Sequence, residues 1–202
     1  MKAKTKDFLK SKCPHRLWRV MVSILRKCQW LRYRIDMLLH GREMSMFCPC
    51  CGTKLRTFVE GDYLERPDFY DIKLFEGIRQ DVLCPACGAL PRHRILGDYL
   101  EKNPYYVRGK SILYFAPERS MKKWLRRHRI RFTTADLNDP DTDLKLDIQS
   151  TGLPDNSYDV VIANHVLEHV SDYNLALREV ARILRPDGIL ICSFPMSLDV
   201  EL

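Results

Sequence analysis

Apolar and polar positions follow different periods along this chain. From residue 16 to 39, Leu17, Val20, Met21, Ile24, Leu25, Cys28, Leu31, Ile35, Leu38 and Leu39 recur at steps of three and four. That spacing predicts one amphipathic helix closed near Gly41. Arg19, Arg26, Lys27, Arg32 and Arg34 fall mostly off the stripe. Two readings follow: a helix packed on its own protein or a partner, and a basic helix lying on an anionic membrane surface. Further on, Thr53 to Glu60 and Asp71 to Phe75 read as strands, separated by turn material around Glu65-Arg66-Pro67-Asp68.

From residue 95 the pattern alternates. Helices are predicted at Ile95 to Lys102, Glu118 to His128 and Asn174 to Leu184. Strands are predicted at Ser111 to Ala116, Arg131 to Leu137, Leu144 to Ile148, Asp159 to Asn164 and Ile189 to Phe194. Strands alternating with helices imply an α/β domain with a parallel sheet of about five strands and right-handed crossovers. The organisation expected is a basic leader over residues 1–44, a small module over 45–95 and the α/β domain over 96–202. No run of about 18 apolar residues marks a spanning helix.

The small module carries its own chemistry. Cys48-Pro-Cys-Cys51-Gly and Cys84-Pro-Ala-Cys87-Gly are two C-x-x-C pairs, each followed by glycine (Gly52 and Gly88). Each pair offers two thiolates from one tight turn, so Cys48, Cys51, Cys84 and Cys87 suit one tetrahedral zinc. With all four positions filled by sulfur, the metal is structural rather than hydrolytic. The 32 residues between Cys51 and Cys84 exceed the usual ribbon spacing. Cys50, inside the first knuckle, is read as a bystander or a substitute ligand. Arg92-His93-Arg94 just beyond is read as a solvated face or an anion contact. So small a module has little core of its own, and the metal is expected to fold it.

Charge narrows the partners. The net charge is +7, but residues 1–42 hold twelve Lys and Arg against two acids, and the remainder is net negative. The basic leader is interleaved with apolar residues and no aromatic stacking array marks a base-binding face, which argues against a nucleic-acid partner. The apolar stretch from Leu17 to Leu25 is broken by Arg19 and has no cleavage site, so a cytoplasmic, reducing location is expected, with membrane association through the leader helix.

Residues at successive strand ends point to a nucleoside. Asp136 lies twenty residues after Ala116, where an acid is placed to accept hydrogen bonds from a ribose. Asp147 and Ile148 close the third strand, where an acid and an apolar side chain suit an adenine. Asn164 and His165 close the fourth. The first turn reads Ala116-Pro117-Glu118-Arg119-Ser120 and lacks the glycines of a pyrophosphate loop, so a nucleoside without phosphates fits it better than NAD or ATP.

The stretches ILYFAPERSMKKWL, TTADL, LKLDI, LPDNSYDVVIANHVLEHV and ALREVARILRPDGILICSFP resemble the class I S-adenosylmethionine-dependent methyltransferases. Within them, the paired knuckles before Arg92-His93-Arg94 are similar to the methyltransferase type 11 branch with an N-terminal zinc ribbon. The resemblance covers about residues 46–195. It implies a Rossmann-like fold and S-adenosyl-L-methionine as cofactor. Ala116, Pro117 and Glu118 would then form the methionine-side loop, Asp136 and Leu137 would face the ribose, Asp147 and Ile148 the adenine, and Asn164 and His165 the sulfonium. The APER turn departs from the family's glycine-rich loop. Five strands can be placed where the family has seven, so the domain is expected to be incomplete at its C-terminal end.

Methyl transfer needs alignment and, for a hydroxyl acceptor, a general base. His165 is the catalytic candidate, with Glu168 nearby and His169 four residues on, sharing a helical face; Glu168 with His169 could also hold a divalent ion. The expected activity is O-methylation of a small molecule or of a glycan or lipid intermediate. The alternatives are a nucleic-acid-directed methyltransferase and a non-catalytic scaffold derived from one.

Overall fold

The computed structural model describes residues 31–41, 45–59 and 82–194, together with Ile24 and Cys28. Helix α1 covers residues 31–40. A two-stranded antiparallel ribbon follows, β1 (Met46–Cys48) and β2 (Thr53–Leu55), in the register Met46↔Leu55. Helix α2 runs Pro91–Lys102. The remaining elements are β3 (Ile112–Phe115), α3 (Arg119–Arg127), β4 (Thr133–Asp136), β5 (Leu144–Lys145), β6 (Tyr158–Asn164), α4 (Tyr173–Ile183) and β7 (Leu184–Ser193).

The last five strands form one sheet in the order β5-β4-β3-β6-β7, and every pairing is parallel. The chain winds outward from β3 to β5, then crosses back to place β6 on the other side of β3. This is the Rossmann-like arrangement, and its switch point lies between β3 and β6. β3 is buried on both faces because helices cover both. Its alternate residues divide two cores. Ile112 and Tyr114 join Val160 and Ile162 under Met121, Trp124 and Leu125 of α3, and under Cys48, Cys50, Leu55 and Cys84 of the ribbon. Leu113 and Phe115 join Ala135, Val161 and Ala163 under Ala176, Val180 and Ile183 of α4.

The ribbon therefore shares the core of the sheet, in keeping with the expectation of a module with little core of its own. The expected boundary between residues 95 and 96 falls inside α2, because the helix starts four residues earlier than predicted. Pro91 occupies its first turn, where its fixed φ and missing N–H cost nothing. Gly97 of this helix lets α3 approach closely: a Cβ there would stand 3.2 Å from Trp124 and 3.5 Å from the Cys50 sulfur. Arg127 closes the same seam, donating to the Pro49 carbonyl at 2.9 Å and to Glu101 at 3.3 Å.

Several predicted boundaries move. The strand expected from Thr53 ends at Leu55, and Val59 instead makes an isolated antiparallel bridge to Leu83. The strand expected at residues 71–75 lies outside the described residues. β5 stops at Lys145 and leaves Asp147 and Ile148 in the following turn. β7 begins at Leu184, before Pro186, where a turn was expected. An edge strand tolerates proline, and a register shift between Tyr158 and Val160 absorbs the irregular stretch.

Helix α1 packs on the face opposite to the predicted one. Tyr33 and Met37 lie against the ribbon, and the Tyr33 hydroxyl donates to the Lys54 carbonyl at 3.1 Å. The apolar stripe of Ile24, Leu31, Ile35, Leu38 and Leu39 is exposed, which corrects the reading that this stripe packs on the chain's own core.

Candidate functional site

Two sites emerge: the four-cysteine knuckles and the crevice at the strand carboxyl ends. In each knuckle the glycine after the second cysteine returns its N–H to the carbonyl of the first, Gly52 to Cys48 and Gly88 to Cys84, both at 2.8 Å. Both glycines sit in the left-handed region, φ 71° and 75°, which a side chain would make costly. The turns bring Cys48, Cys51, Cys84 and Cys87 together, with all four sulfurs within 4.8 Å of one another. Cys48 to Cys87 and Cys51 to Cys84 are each 3.8 Å. A tetrahedron of sulfurs at the usual zinc–sulfur distance has edges of about 3.8 Å. Geometry and donor chemistry thus fit zinc. The crowded thiols already polarise one another: hydrogen bonds from its four neighbours push the Cys48 thiol far down, and the bond to Cys48 pushes Cys87 far up. Cys50 is not one of the four clustered sulfurs; it is buried, and its thiol donates to the His93 carbonyl at 3.2 Å.

Arg92-His93-Arg94 proves to be neither a solvated face nor a bare cationic patch. Arg94 donates to the carbonyls of Val82 and Ala89, at 2.5 and 3.0 Å, on either side of the second knuckle, and its guanidinium lies 3.8 Å over the Phe58 ring. His93 is buried. Its Nδ1 accepts from the Leu90 backbone N–H at 3.0 Å and from the Ser120 hydroxyl at 2.8 Å. An acceptor at Nδ1 requires the proton on Nε2, and Nε2 meets Glu118 Oε1 at 2.5 Å.

Glu118 is held on both oxygens. Arg92 Nε also donates to Oε1 at 3.2 Å, while the Tyr114 hydroxyl and the Asn164 amide reach Oε2 at 3.2 and 3.5 Å. Burial pushes this carboxyl up, but the His93 hydrogen bond and the Arg92 charge outweigh it and hold it below its usual range. Burial and the Glu118 charge push the Tyr114 phenol well up, so it stays a donor. The network spans the switch point, since Glu118 follows β3 and Asn164 ends β6.

The other predicted residues lie at or just beyond the carboxyl ends of the strands. Ala116 follows β3 in the left-handed region at φ 43°, with Pro117 next to it, and its N–H reaches the Ala135 carbonyl at 2.9 Å. Asp136 ends β4, and its Oδ1 accepts from the Asn138 and Asp139 backbones at 2.7 and 2.8 Å. Leu137 beside it is exposed. Asp147 Oδ1 accepts from the Gln149 backbone at 2.8 Å. Ile148 is buried in the core under α4. Asn164 Oδ1 takes the Ser193 hydroxyl at 3.2 Å, bringing in the end of β7.

His165 turns at φ 53°, and its Nδ1 lies 3.1 Å from Glu168. The following helix is a single 3-10 turn, Leu167–His169, so His165 and His169 share no helical face, a correction to that expectation. Among the described residues, the four cysteines are the only cluster of three or more such ligands. Sequence reasoning named Glu118, Asn164 and Arg92-His93-Arg94 separately but missed the network that joins them. Its members come from α2, β3 and β6, and a buried histidine leaves no trace in periodicity. A cavity of about 430 Å³ beside β4 is lined by Lys122, Arg126, Phe132, Thr134, Asp141 and Asp143.

Residues 109–192 match the family model described as a methyltransferase domain. A stretch of 65 residues is 37% identical to the reducing polyketide synthase Preu2 of Preussia isomera, covering 32% of this chain and 2% of that protein. Among solved structures, the chain is similar to one from Galdieria sulphuraria described as a sarcosine dimethylglycine methyltransferase, with 18% identity, a TM-score of 0.42, and coverage of 52% of this chain and 47% of that one. It is also similar to a SAM-dependent methyltransferase from Archaeoglobus fulgidus, with 17% identity, a TM-score of 0.40, and coverage of 48% and 51%. The chain thus spans about half the length of those structures and a small part of the curated relative.

Proposed function

We propose that this chain, whose residues 109–192 match a methyltransferase-domain family model, is an S-adenosylmethionine-dependent methyltransferase of class I that methylates a hydroxyl on a small molecule or on a glycan or lipid intermediate. The observation that carries the reading is the coincidence of the family match with polar residues converging on the strand carboxyl ends, where ligands of such sheets bind. The bound cofactor supplies a methyl group activated on a sulfonium. Asp136 uses Oδ1 to brace its own turn, which directs Oδ2 to the ribose hydroxyls. Asp147 faces the adenine amine. Asn164 and Glu118 border the sulfonium and the amino-acid end. His165 takes the acceptor's proton: with Nδ1–H held by Glu168, its Nε2 is the proton-accepting nitrogen, and an oriented imidazole of this kind is the usual general base. One zinc, held by Cys48, Cys51, Cys84 and Cys87, fixes the ribbon and leaves no position for substrate.

The proposed location is the cytoplasm, with α1 at a membrane surface. The exposed stripe of Ile24, Leu31, Ile35, Leu38 and Leu39 and the excess positive charge of the leader match an anionic lipid face.

Titration with S-adenosylhomocysteine tests the cofactor reading. The Asp136→Ala chain is expected to bind about tenfold or more weakly than the parent, because hydrogen bonds to a carboxylate contribute roughly 1.5–3 kcal/mol each. Equal affinities exclude Asp136 from the ribose, and tight binding of NAD overturns the cofactor itself.

A further inference from the structure

We propose that His93 is a positioning residue through which the metal knuckles set the cofactor crevice. The inference rests on the cofactor reading above and adds to it a coupling between the two sites. The connection is short and continuous. The second knuckle closes with Cys84 N–H on the Ala89 carbonyl at 2.9 Å, and the next residue, Leu90, is the N-cap of α2. Leu90 N–H fixes the His93 ring through Nδ1, and the first knuckle holds the His93 carbonyl through Cys50. Both knuckles therefore grip one buried histidine. Its remaining ring nitrogen has a single role, to donate to Glu118.

Glu118 needs such a hold. Two residues before it stands Ala116, a non-glycine residue in the left-handed region, a conformation that a side chain disfavours. The bonds from His93, Arg92 and Tyr114 keep the loop in place despite that cost, and they set the carboxylate against Asn164 at the switch point. Loss of the metal frees the knuckles, and with them Leu90 and Cys50. The His93 ring then keeps at Nδ1 only the Ser120 hydroxyl, which can accept as readily as donate, so its tautomer is no longer fixed and Glu118 loses its closest donor. In this arrangement zinc never meets the cofactor, yet the affinity of the crevice depends on it.

Two measurements on the full chain test the coupling. The first compares zinc content and S-adenosylhomocysteine affinity in the parent, His93→Ala and His93→Gln. All three are expected to hold one zinc. His93→Ala is expected to bind about tenfold more weakly, while His93→Gln, whose amide can both accept from Leu90 and donate to Glu118, stays within about threefold of the parent. Equal affinity in His93→Ala and the parent overturns the proposal, as does a His93→Gln chain as weak as His93→Ala. The second reads the imidazole nitrogens by ¹⁵N NMR with and without a zinc chelator. A single Nε2–H tautomer that gives way to a mixture on chelation supports the coupling, and a tautomer unchanged by chelation overturns it. The NMR arm needs no cofactor, so a parent chain that fails to bind S-adenosylhomocysteine refutes the cofactor reading while the link from knuckle to histidine is still decided.

Discussion

Single carboxylates fix much of this molecule, and they do it through backbone N–H groups as often as through cations. Asp143 holds the Thr134 N–H and hydroxyl at 2.8 and 2.7 Å, bracing β4 against the start of β5. Glu179 of α4 does the same for Thr151, accepting from its N–H at 2.8 Å and its hydroxyl at 2.6 Å while Arg182 pairs with both carboxylate oxygens. The Arg182 hydrogen bonds, opposed by burial and aided by Thr151, bring the Glu179 carboxyl down to about 2. A carboxyl lowered on folding stabilises the native state above its unfolded value, and that contribution disappears as pH falls through the folded value. Glu179→Gln is therefore expected to be less stable than the parent at neutral pH, with the gap closing between about pH 4.5 and 2. Denaturant melts at successive pH values measure it, and subtracting one chain from the other removes acid effects common to both. A gap constant across that range excludes Glu179 as a source of acid sensitivity.

At the scale of elements, the strands were the legible part and the faces of helices were not. β3 and β6 read clearly because each is an apolar run bounded by polar residues, and a sheet covered on both sides demands that pattern. The strand ends located Asp136 and Asn164 for the same reason, whereas β5 stops two residues short of Asp147. Periodicity also found α1, but it marks a stripe without saying what covers it. The aliphatic positions stand exposed, while Tyr33 and Met37, aligned on another face, meet the ribbon. Tyr33 belongs there because its hydroxyl finds the Lys54 carbonyl, a partner 21 residues away that no local pattern discloses. If the exposed stripe meets lipid, Ile35→Glu with Leu38→Glu is expected to abolish sedimentation with anionic vesicles. Substitutions at such exposed positions leave stability nearly unchanged. The parent is expected to bind at low salt and to weaken towards physiological salt, since attraction is about 1 kcal/mol per cation and is screened. A parent chain that stays in the supernatant at low salt eliminates the membrane contact.

For the molecule as a whole, the ribbon and the sheet are one cooperative body, since Cys48, Cys50, Leu55 and Cys84 sit in the same core as Tyr114, Trp124 and Ile162. The sequence hid this because the contacts join distant residues, Arg127 to the Pro49 carbonyl across 78 positions among them, and the knuckles look self-sufficient when read alone. Removing the metal is thus expected to lower the melting temperature of the sheet-bearing half as well, in a single transition seen alike by Trp fluorescence and by far-ultraviolet circular dichroism. Cys84→Ser should reproduce the effect and reduce zinc content, whereas Cys50→Ser, which keeps a donor towards the His93 carbonyl, should retain a full equivalent. Two separate transitions would show that the halves melt independently. The shared core also imposes a schedule on synthesis. Chains grow at roughly 5–20 residues per second, so the first knuckle leaves the ribosome about 4–15 s before Trp124, the side chain that covers it. For those seconds its thiols stand in open solvent with no helix above them, exposed to oxidants and to any competing metal, and early capture of the right ion guards the nascent chain before the sheet exists.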